Sequence, residues 1–305
     1  MPLKSFFFTV IDYRVIPFMA KNQCEPDKIL DEILAEYGQT PIDLLDIDDG
    51  DAEYRYLLNA RVSYLRTIKD VIELFPIREV SAENVPQKKT IMEIGAYLGP
   101  VSTTLAEMGF NVTAVDIPKY MSNPRLQEKY HQRGVAILPL DLKDNRIPLP
   151  SDEFDLVILC ETLEHLNFNP LPVLAEINRI LKKGGYLYIS LPNLASLVNR
   201  LKLLFGYSIF NPIEDFSAQL RSDCNMIVGI HWREYTREEM VTMLALSGFR
   251  VIKHYFFTNT QSQYLARMLY RLLPQFRPNQ TMLVQKDDEP EPCFSGIPYG
   301  QGGLI

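Results

Sequence analysis

The chain has 305 residues, 47% of them apolar and 23% charged, which suits one large globular domain or one domain with a small companion. Its formal net charge of −7 argues against a general attraction to nucleic acid. Four cysteines, Cys24, Cys160, Cys224 and Cys293, lack C-x-x-C spacing and read as reduced thiols of a cytoplasmic protein, not as a disulfide frame or a zinc site.

The apolar run at 6–20 holds Asp12, Arg14 and Pro17. It is too short and too charged to span a membrane and has no signal-peptide cleavage pattern. Residues 1–85 read as a separate N-terminal helical region. Ile29, Leu30, Ile33, Leu34 and Tyr37 share one helical stripe, closed by Gly38. A longer helix is predicted over 52–75, with a stripe of Tyr54, Leu58, Val62, Leu65, Ile72 and Phe75. An acidic connector at 43–53 separates the two helices.

The stretch at 90–118 organises the rest of the chain. A short β-type run, 90–94, leads into a turn with Gly95 and Gly99, and a helix starts at Pro100, whose ring presets φ. Gly109 takes the place just past the helix end. A second apolar run, 111–115, finishes at Asp116. Strand, tight loop, helix and strand, with an acid about 20 residues after the first glycine, form a layout that binds a nucleoside through its ribose hydroxyls. The dinucleotide spacing G-x-G-x-x-G fails here, because Tyr97 and Pro100 occupy its second and third glycine positions. The spacing acid-x-G-x-G-x-G is met by Glu93, Gly95 and Gly99, with Tyr97 in the middle. A carboxylate at Glu93 repels a pyrophosphate and suits a cationic ligand with an ammonium group. An ordinary βαβ unit without a ligand is the alternative.

On these residues the chain resembles the class I S-adenosylmethionine-dependent methyltransferases, in the manner of the type 11 and ubiquinone O-methyltransferases, over roughly 89–257. The resemblance implies an α/β fold with a doubly wound, mostly parallel, seven-stranded Rossmann-like sheet and an N-terminal helical extension. It implies a methyltransferase domain over 86–286 and a tail over 287–305. It also implies S-adenosylmethionine as cofactor, held by Glu93, Gly95, Tyr97, Gly99, Asp116, Ile117, Asp141, the Leu142 backbone and Cys160. Tyr97 departs from the family pattern and weakens the expected close approach of backbone to the methionyl part. Helical N-terminal additions in this family often cap the site, so residues 1–85 read as a lid or a subunit contact.

Beyond Asp116 the alternation continues. A polar helix at 124–132 precedes an apolar run, 135–140, that ends at Asp141, where the family places an acid on the adenine amino group. An acid that merely starts a turn is the other reading. The strand at 154–160 is nearly all apolar, as a central parallel strand buried on both faces should be. A helix at 171–181 and a strand at 186–191 come next, and the string EINRILKKGGYLYISLPN is close to the family's wording. SLVNRLKLLFG reads as a short basic amphipathic helix. Thr236 and Glu239 form a capping box, with Tyr235 and Met240 placed for a hydrophobic staple. A strand at 250–257, an amphipathic segment at 261–273 and a strand at 281–285 complete the pattern, before a Pro- and Gly-rich tail read as disordered. The segments 196–205 and 261–273 read as core packing, or as a lid or peripheral membrane contact.

The chemistry is expected at the carboxyl ends of the parallel strands. Glu161, Glu164 and His165 in CETLEHL stand directly after the central strand, and a helical turn would bring all three to one point. Acids in a first helical turn also meet the helix dipole favourably, with no further role. Together with His231 they resemble the E-x-x-E-H string and later histidine that ubiquinone O-methyltransferases and small-RNA 2′-O-methyltransferases place around magnesium. The resemblance makes Glu161, Glu164, His165 and His231 candidate Mg2+ ligands, and Glu164, His165 and His231 candidate catalytic groups. An imidazole titrates near neutrality and suits removal of a hydroxyl proton. The expected activity is O-methylation of a small molecule, sugar, glycan or lipid-linked hydroxyl. A quinone or phenol acceptor is the alternative, as is a cofactor-fold protein that binds without catalysing. The charge argues against a nucleic-acid partner, and the sequence leaves the oligomeric state open.

Overall fold

The structure, a computed structural model, describes residues 25–44, 52–77, 88–218, 230–259 and 264–290. The apolar run at 6–20, most of the acidic connector, Cys24, Cys224, Cys293 and the tail beyond residue 290 lie outside the described residues. A seven-stranded sheet has the order β3-β2-β1-β4-β5-β7-β6. Its strands are β1 Thr90–Ile94, β2 Asn111–Asp116, β3 Ala136–Pro139, β4 Phe154–Cys160, β5 Leu181–Pro192, β6 Phe249–Phe257 and β7 Asn279–Lys286. All neighbours are parallel except at β7, which runs antiparallel to both β5 and β6. The strand order reverses between β1 and β4, so the crevice beyond their carboxyl ends is where a ligand fits.

The centre of the sheet is buried on both faces, and side-chain alternation sorts its residues. Ile91, Leu156, Ile158 and Tyr188 face one core cluster, while Met92, Ile94, Val157, Leu159, Leu187 and Ile189 face the other. Helices α1 (Pro26–Gln39), α2 (Ala52–Leu74) and α3 (Pro100–Glu107) cover the first face. They share its core through Leu30, Leu57, Ile68 and Leu105. Two short helices follow β2, α4 (Pro118–Met121) and α5 (Pro124–Gln132). On the second face lie α6 (Leu171–Ile180) and, later in the chain, Met240, Met243 and Leu244 of a helix after β5.

The predicted stripe of α2 is borne out in part. Tyr54, Leu65, Ile72 and Phe75 pack against the first core, whereas Leu58 and Val62 are exposed and Leu57, Ile68 and Val71 are buried beside the stripe. This helix carries apolar residues on more than one side, so periodicity alone left the width of its inward face open. The second half of the chain adds α7 (Leu197–Leu204), α8 (Ile213–Ala218), α9 (Arg237–Leu246) and α10 (Tyr264–Leu272). The capping box of Thr236 and Glu239 opens α9, with Tyr235 and Met240 both buried in the second cluster.

The loop between β1 and α3 depends on left-handed backbone. Gly99, the cap of α3, has φ 72°, and a Cβ there would stand 2.3 Å from the hydroxyl of the fully buried Tyr130. That hydroxyl donates to the Tyr97 carbonyl at 3.1 Å, so the ring has a reason to stay. Gly99→Ala combines the left-handed penalty with overpacking and is expected to lower stability by about 2 kcal/mol or more. Thermal or urea unfolding of the variant measures this, and an unchanged midpoint contradicts the packing described.

Candidate active site

A cavity of about 720 Å3 opens at the carboxyl ends of β1, β2 and β4. Its wall includes Glu93, Gly95, Tyr97, Asp116, Ile117, Asp141, Leu142 and Cys160. Of the expected cofactor residues, Gly99 alone is not in that wall; it shapes the loop from behind. Each of the others arrives there for a local reason. β1 ends one residue before Gly95, whose φ of 76° turns the chain; a Cβ there would lie 2.1 Å from the Thr162 hydroxyl oxygen. Bare backbone therefore faces the cavity at this point. Asp116 ends β2 and accepts from the Tyr97 N–H at 2.7 Å and the Ile117 N–H at 2.7 Å. Its carboxylate thus ties the loop after β1 to the end of β2 and keeps lone pairs for a further donor.

Tyr97 stands where the family pattern has a glycine. Its φ is 50°, so the residue adopts the left-handed backbone that glycine would supply. Such a conformation costs a side chain about 1–2 kcal/mol. Packing offsets it: the Tyr97 ring meets Tyr56 edge-on at 5.8 Å and Tyr120 at 5.4 Å. Asp141 both faces the cavity and starts the turn after β3, accepting from Lys143 N–H at 3.0 Å. Cys160 sits beside Thr67, and burial pushes its thiol well up, which makes it a packing group.

Glu93 is buried and accepts from the Ser102 hydroxyl. Burial is the largest cause that pushes its carboxyl up to about 7, against the hydrogen bond from Ser102. Asp116 is pushed up to about 6, again chiefly by burial, against its two backbone donors.

Beside this cavity the Glu-His group assembles, though not on one helical turn. Glu161 has φ 48°, in the left-handed region, and a 3-10 turn at Leu163–His165 follows it. Glu164 is fully buried, and neither carboxylate oxygen has a hydrogen-bond partner. Ligand atoms of Glu164, His165 and His231 lie within 4.8 Å of one another. His231 reaches them because the loop before α9 docks on the turn: Trp232 N–H donates to the Glu164 carbonyl at 2.8 Å. His165 Nδ1 meets the Ile230 carbonyl at 2.9 Å, so Nδ1 carries the proton and Nε2 is bare. His231 Nδ1 meets Glu234 Oε1 at 3.0 Å. Burial, with His231 nearby, pulls the His165 pKa down and keeps the ring neutral. Burial first, then Glu161, pushes the Glu164 carboxyl well up. The Glu161 carboxyl is pushed up to about 7, mainly by burial. Glu161 and His165 line the cavity, whereas Glu164 and His231 stand behind that wall.

Sequence reasoning offered residues 1–85 as a lid but named none of its cavity-lining residues. Tyr56, Ser63, Tyr64 and Thr67 of α2 line the other wall, and Phe168 and Trp232 lie on the side near His165. The small polar Ser63 and Thr67 on a helix that also packs into the core were the available signal.

A doubly wound sheet with a glycine turn, a strand-end acid and a buried carboxylate before the turn defines a nucleoside-cofactor-binding α/β domain. The profile of a family described as a methyltransferase domain matches residues 63–254, more than half of the chain. The chain belongs to that family, the S-adenosylmethionine-dependent methyltransferases. The ubiquinone biosynthesis O-methyltransferase of Actinobacillus pleuropneumoniae serotype 7 is 26% identical over 113 residues, covering 34% of this chain and 46% of that protein. The enzyme of the same description from Xanthomonas axonopodis pv. citri is 30% identical over 135 residues, covering 41% of this chain and 53% of that protein. The chain spans about half the length of the curated relatives it matches. A solved SAM-dependent methyltransferase from Archaeoglobus fulgidus, 16% identical, covers 76% of this chain and 100% of its own at a TM-score of 0.48.

S-adenosylmethionine fits the residues present. Its ammonium and sulfonium suit a wall with buried acids, and the glycine at 95, which Thr162 requires, puts backbone in that wall. The raised carboxyl of Glu93 has a consequence for the protein without ligand. A folded pKa above the unfolded value means the native state holds extra protons between about pH 4.5 and 7, so stability falls as pH rises through that window. Glu93→Gln keeps an acceptor for Ser102 and removes the charge. It is expected to stabilise the ligand-free protein at pH 8 by on the order of 3 kcal/mol and to change little at pH 4. Thermal unfolding of both proteins across that range tests the sign; equal curves at pH 8 contradict it.

Proposed function

We propose that the chain is an O-methyltransferase that moves the methyl group of S-adenosylmethionine to a hydroxyl of a small-molecule, sugar, glycan or lipid-linked acceptor. We further propose that a divalent cation, Mg2+ by the family resemblance, is held by Glu164, His165 and His231 with Glu161 beside them. One observation carries both readings: the fully buried Glu164, whose carboxyl oxygens have no hydrogen-bond partner, lies with its ligand atom within 4.8 Å of those of two imidazoles, each held at Nδ1 by another group. A buried orphan acid is costly, and a cation or an acceptor proton is what would offset it. The donor set of oxygen and imidazole nitrogen also suits manganese or zinc.

The cofactor supplies an activated methyl group, and a cation supplies acidity to a bound hydroxyl. The chain supplies position and proton handling. Glu93 and the backbone at Gly95 would face the amino-acid part, and Asp116 would accept from the ribose hydroxyls. Asp141 and the Leu142 backbone would meet the adenine. His165 Nε2, at the cavity wall with the Ile230 carbonyl holding Nδ1–H, would take the acceptor's proton where no cation is bound; with a cation, its one lone pair would go to that ion, which would supply the acidity instead. Glu234 orients His231 in the manner of a group behind a metal ligand. Tyr56 and the residues of α2 roof the cavity and keep water from the cofactor edge.

The aromatic walls favour the second acceptor reading, a phenol or quinone ring. Tyr56, Tyr64, Phe168 and Trp232 line the cavity, and aromatic side chains are the usual partners of a planar acceptor. The relatives named for ubiquinone biosynthesis support the same reading.

Two variants separate the roles. Asp116→Ala is expected to weaken S-adenosylmethionine binding at least tenfold, about 1.4 kcal/mol, by titration calorimetry. His165→Ala is expected to lower turnover by about 10²-fold while cofactor affinity barely changes. Turnover is read as transfer of labelled methyl into a cell extract, with and without chelator. Full activity in chelator removes the cation, and an active His165→Ala variant removes the proton-transfer role.

A further inference from the structure

α7 is turned the wrong way round for a helix that faces water. Ser196 caps it, and the residue it buries is Asn199, while Val198, Leu201, Leu203 and Leu204 are exposed. The cause is a pair of hydrogen bonds. Asn199 Nδ2 donates to the Leu194 carbonyl at 3.1 Å and to Glu234 Oε2 at 2.8 Å, so the polar side chain points inward and the leucines point out. The apolar surface continues past the helix through Phe205, Tyr207, Phe210 and Ile213, with Leu204 74% and Ile213 79% exposed. Exposed apolar surface on this scale marks an interaction site.

Charge says what covers it. Residues 196–213 carry Arg200 and Lys202, and residues 264–277 carry Arg267, Arg271 and Arg277. Neither stretch has an Asp or Glu, in a chain whose net charge is −7; the first acids, Glu214 and Asp215, come after Ile213. The two stretches adjoin, since the Arg200 guanidinium lies 5.2 Å over the ring of Phe276, just after α10. On the other side of Phe276, α10 also exposes Met268 and Leu272. A second copy is a poor occupant, because an isologous contact would set these cations against each other. Apolar and aromatic side chains ringed by Arg and Lys are what lies flat in the interface of an anionic bilayer. Among the described residues no helix is long and apolar enough to cross a membrane.

We propose that the face formed by α7, the residues up to Ile213 and the exposed side of α10 docks on an anionic lipid bilayer. The candidate site hangs on the same elements. Glu234, which accepts from Asn199, also accepts from His231, and His231 N–H donates to Asn211 Oδ1 at 3.0 Å within the apolar stretch. Docking therefore sets the bilayer against the residues that hold His231, and the acceptor hydroxyl belongs to an amphiphile taken from the membrane. That last step rests on the methyl-transfer reading; the docking does not.

The test is co-sedimentation of the full chain with vesicles, together with calorimetry of S-adenosylmethionine binding. Vesicles of phosphatidylcholine alone are compared with vesicles holding about 30% phosphatidylglycerol, at low and high salt. The expected result is binding to the anionic vesicles, about tenfold weaker on phosphatidylcholine and weakened by salt. The double variant Leu204→Ser with Phe205→Ser is expected to lose about tenfold of that binding while keeping cofactor affinity and its melting temperature. Sedimentation with no vesicle type, or unchanged binding by the double variant, overturns the proposal. So does a dimer of the unaltered chain that those two substitutions dissociate. Vesicle binding without cofactor binding would leave the docking standing and remove the methyl-transfer reading.

Discussion

Three buried carboxyl groups, Glu93, Asp116 and Glu164, with the half-buried Glu161 beside them, gather at one end of the sheet and are the constraint on which the rest of the site depends. Burial is the largest influence on each, and it pushes all four upward. Hydrogen bonds offset part of the cost at Glu93 and Asp116, where Ser102 and two backbone N–H groups donate. At Glu164 nothing donates to either oxygen. A cavity built this way favours a positively charged occupant, because an opposite charge is what stabilises an ionised buried acid. A sulfonium cofactor with an ammonium group is one such occupant, and a divalent cation at Glu164 is another. Such sites are carried at a cost to stability that binding returns.

The topology of the sheet is enough to bring these acids together. β1 and β2 end side by side, so Glu93 and Asp116 arrive on neighbouring strands, and the Asp116 carboxylate closes the gap by accepting from Tyr97 N–H. β4 ends at Cys160, one residue before Glu161. The loop before α9 returns to the same edge through Asn193, which bridges to Tyr235, and through the Glu164 carbonyl. His231 therefore reaches the turn after β4 from 66 residues along the chain, by backbone bonds. The roof from α2 is a separate contribution, made by a helix that also packs into the core through Leu57 and Ile68.

Much of this was legible in the sequence, for physical reasons that can be named. β1, the start of α3 and the left-handed turn were fixed by a short apolar run, Pro100 and glycines that only certain backbone conformations demand. The α9 cap was legible because a capping box is a local, reciprocal pair. Three features were not. The width of the face of α2 that packs inward depends on what lies beneath it, and the apolar pattern alone did not show that Leu57, Ile68 and Val71 go in while Leu58 and Val62 stay out. Glu161 was expected on a helical turn, but its positive φ cannot be read from a side chain that ordinarily avoids it. The outward leucines of α7 result from Asn199 finding Glu234, 35 residues away, which no local periodicity contains. Likewise Tyr97 looked like a loss to the glycine loop, whereas its ring packing holds the glycine-like conformation in place.

These acids are held partly protonated before a cationic ligand arrives and ionise when it does. Proton exchange on binding measures this ionisation directly. Calorimetry of S-adenosylmethionine binding near pH 6.5, repeated in buffers of different ionisation enthalpy, gives the number of protons moved, since Asp116 and Glu93 titrate at about 6 and about 7 without ligand. The account predicts net release of protons to the buffer. Binding with no proton exchange, or with uptake, would contradict it.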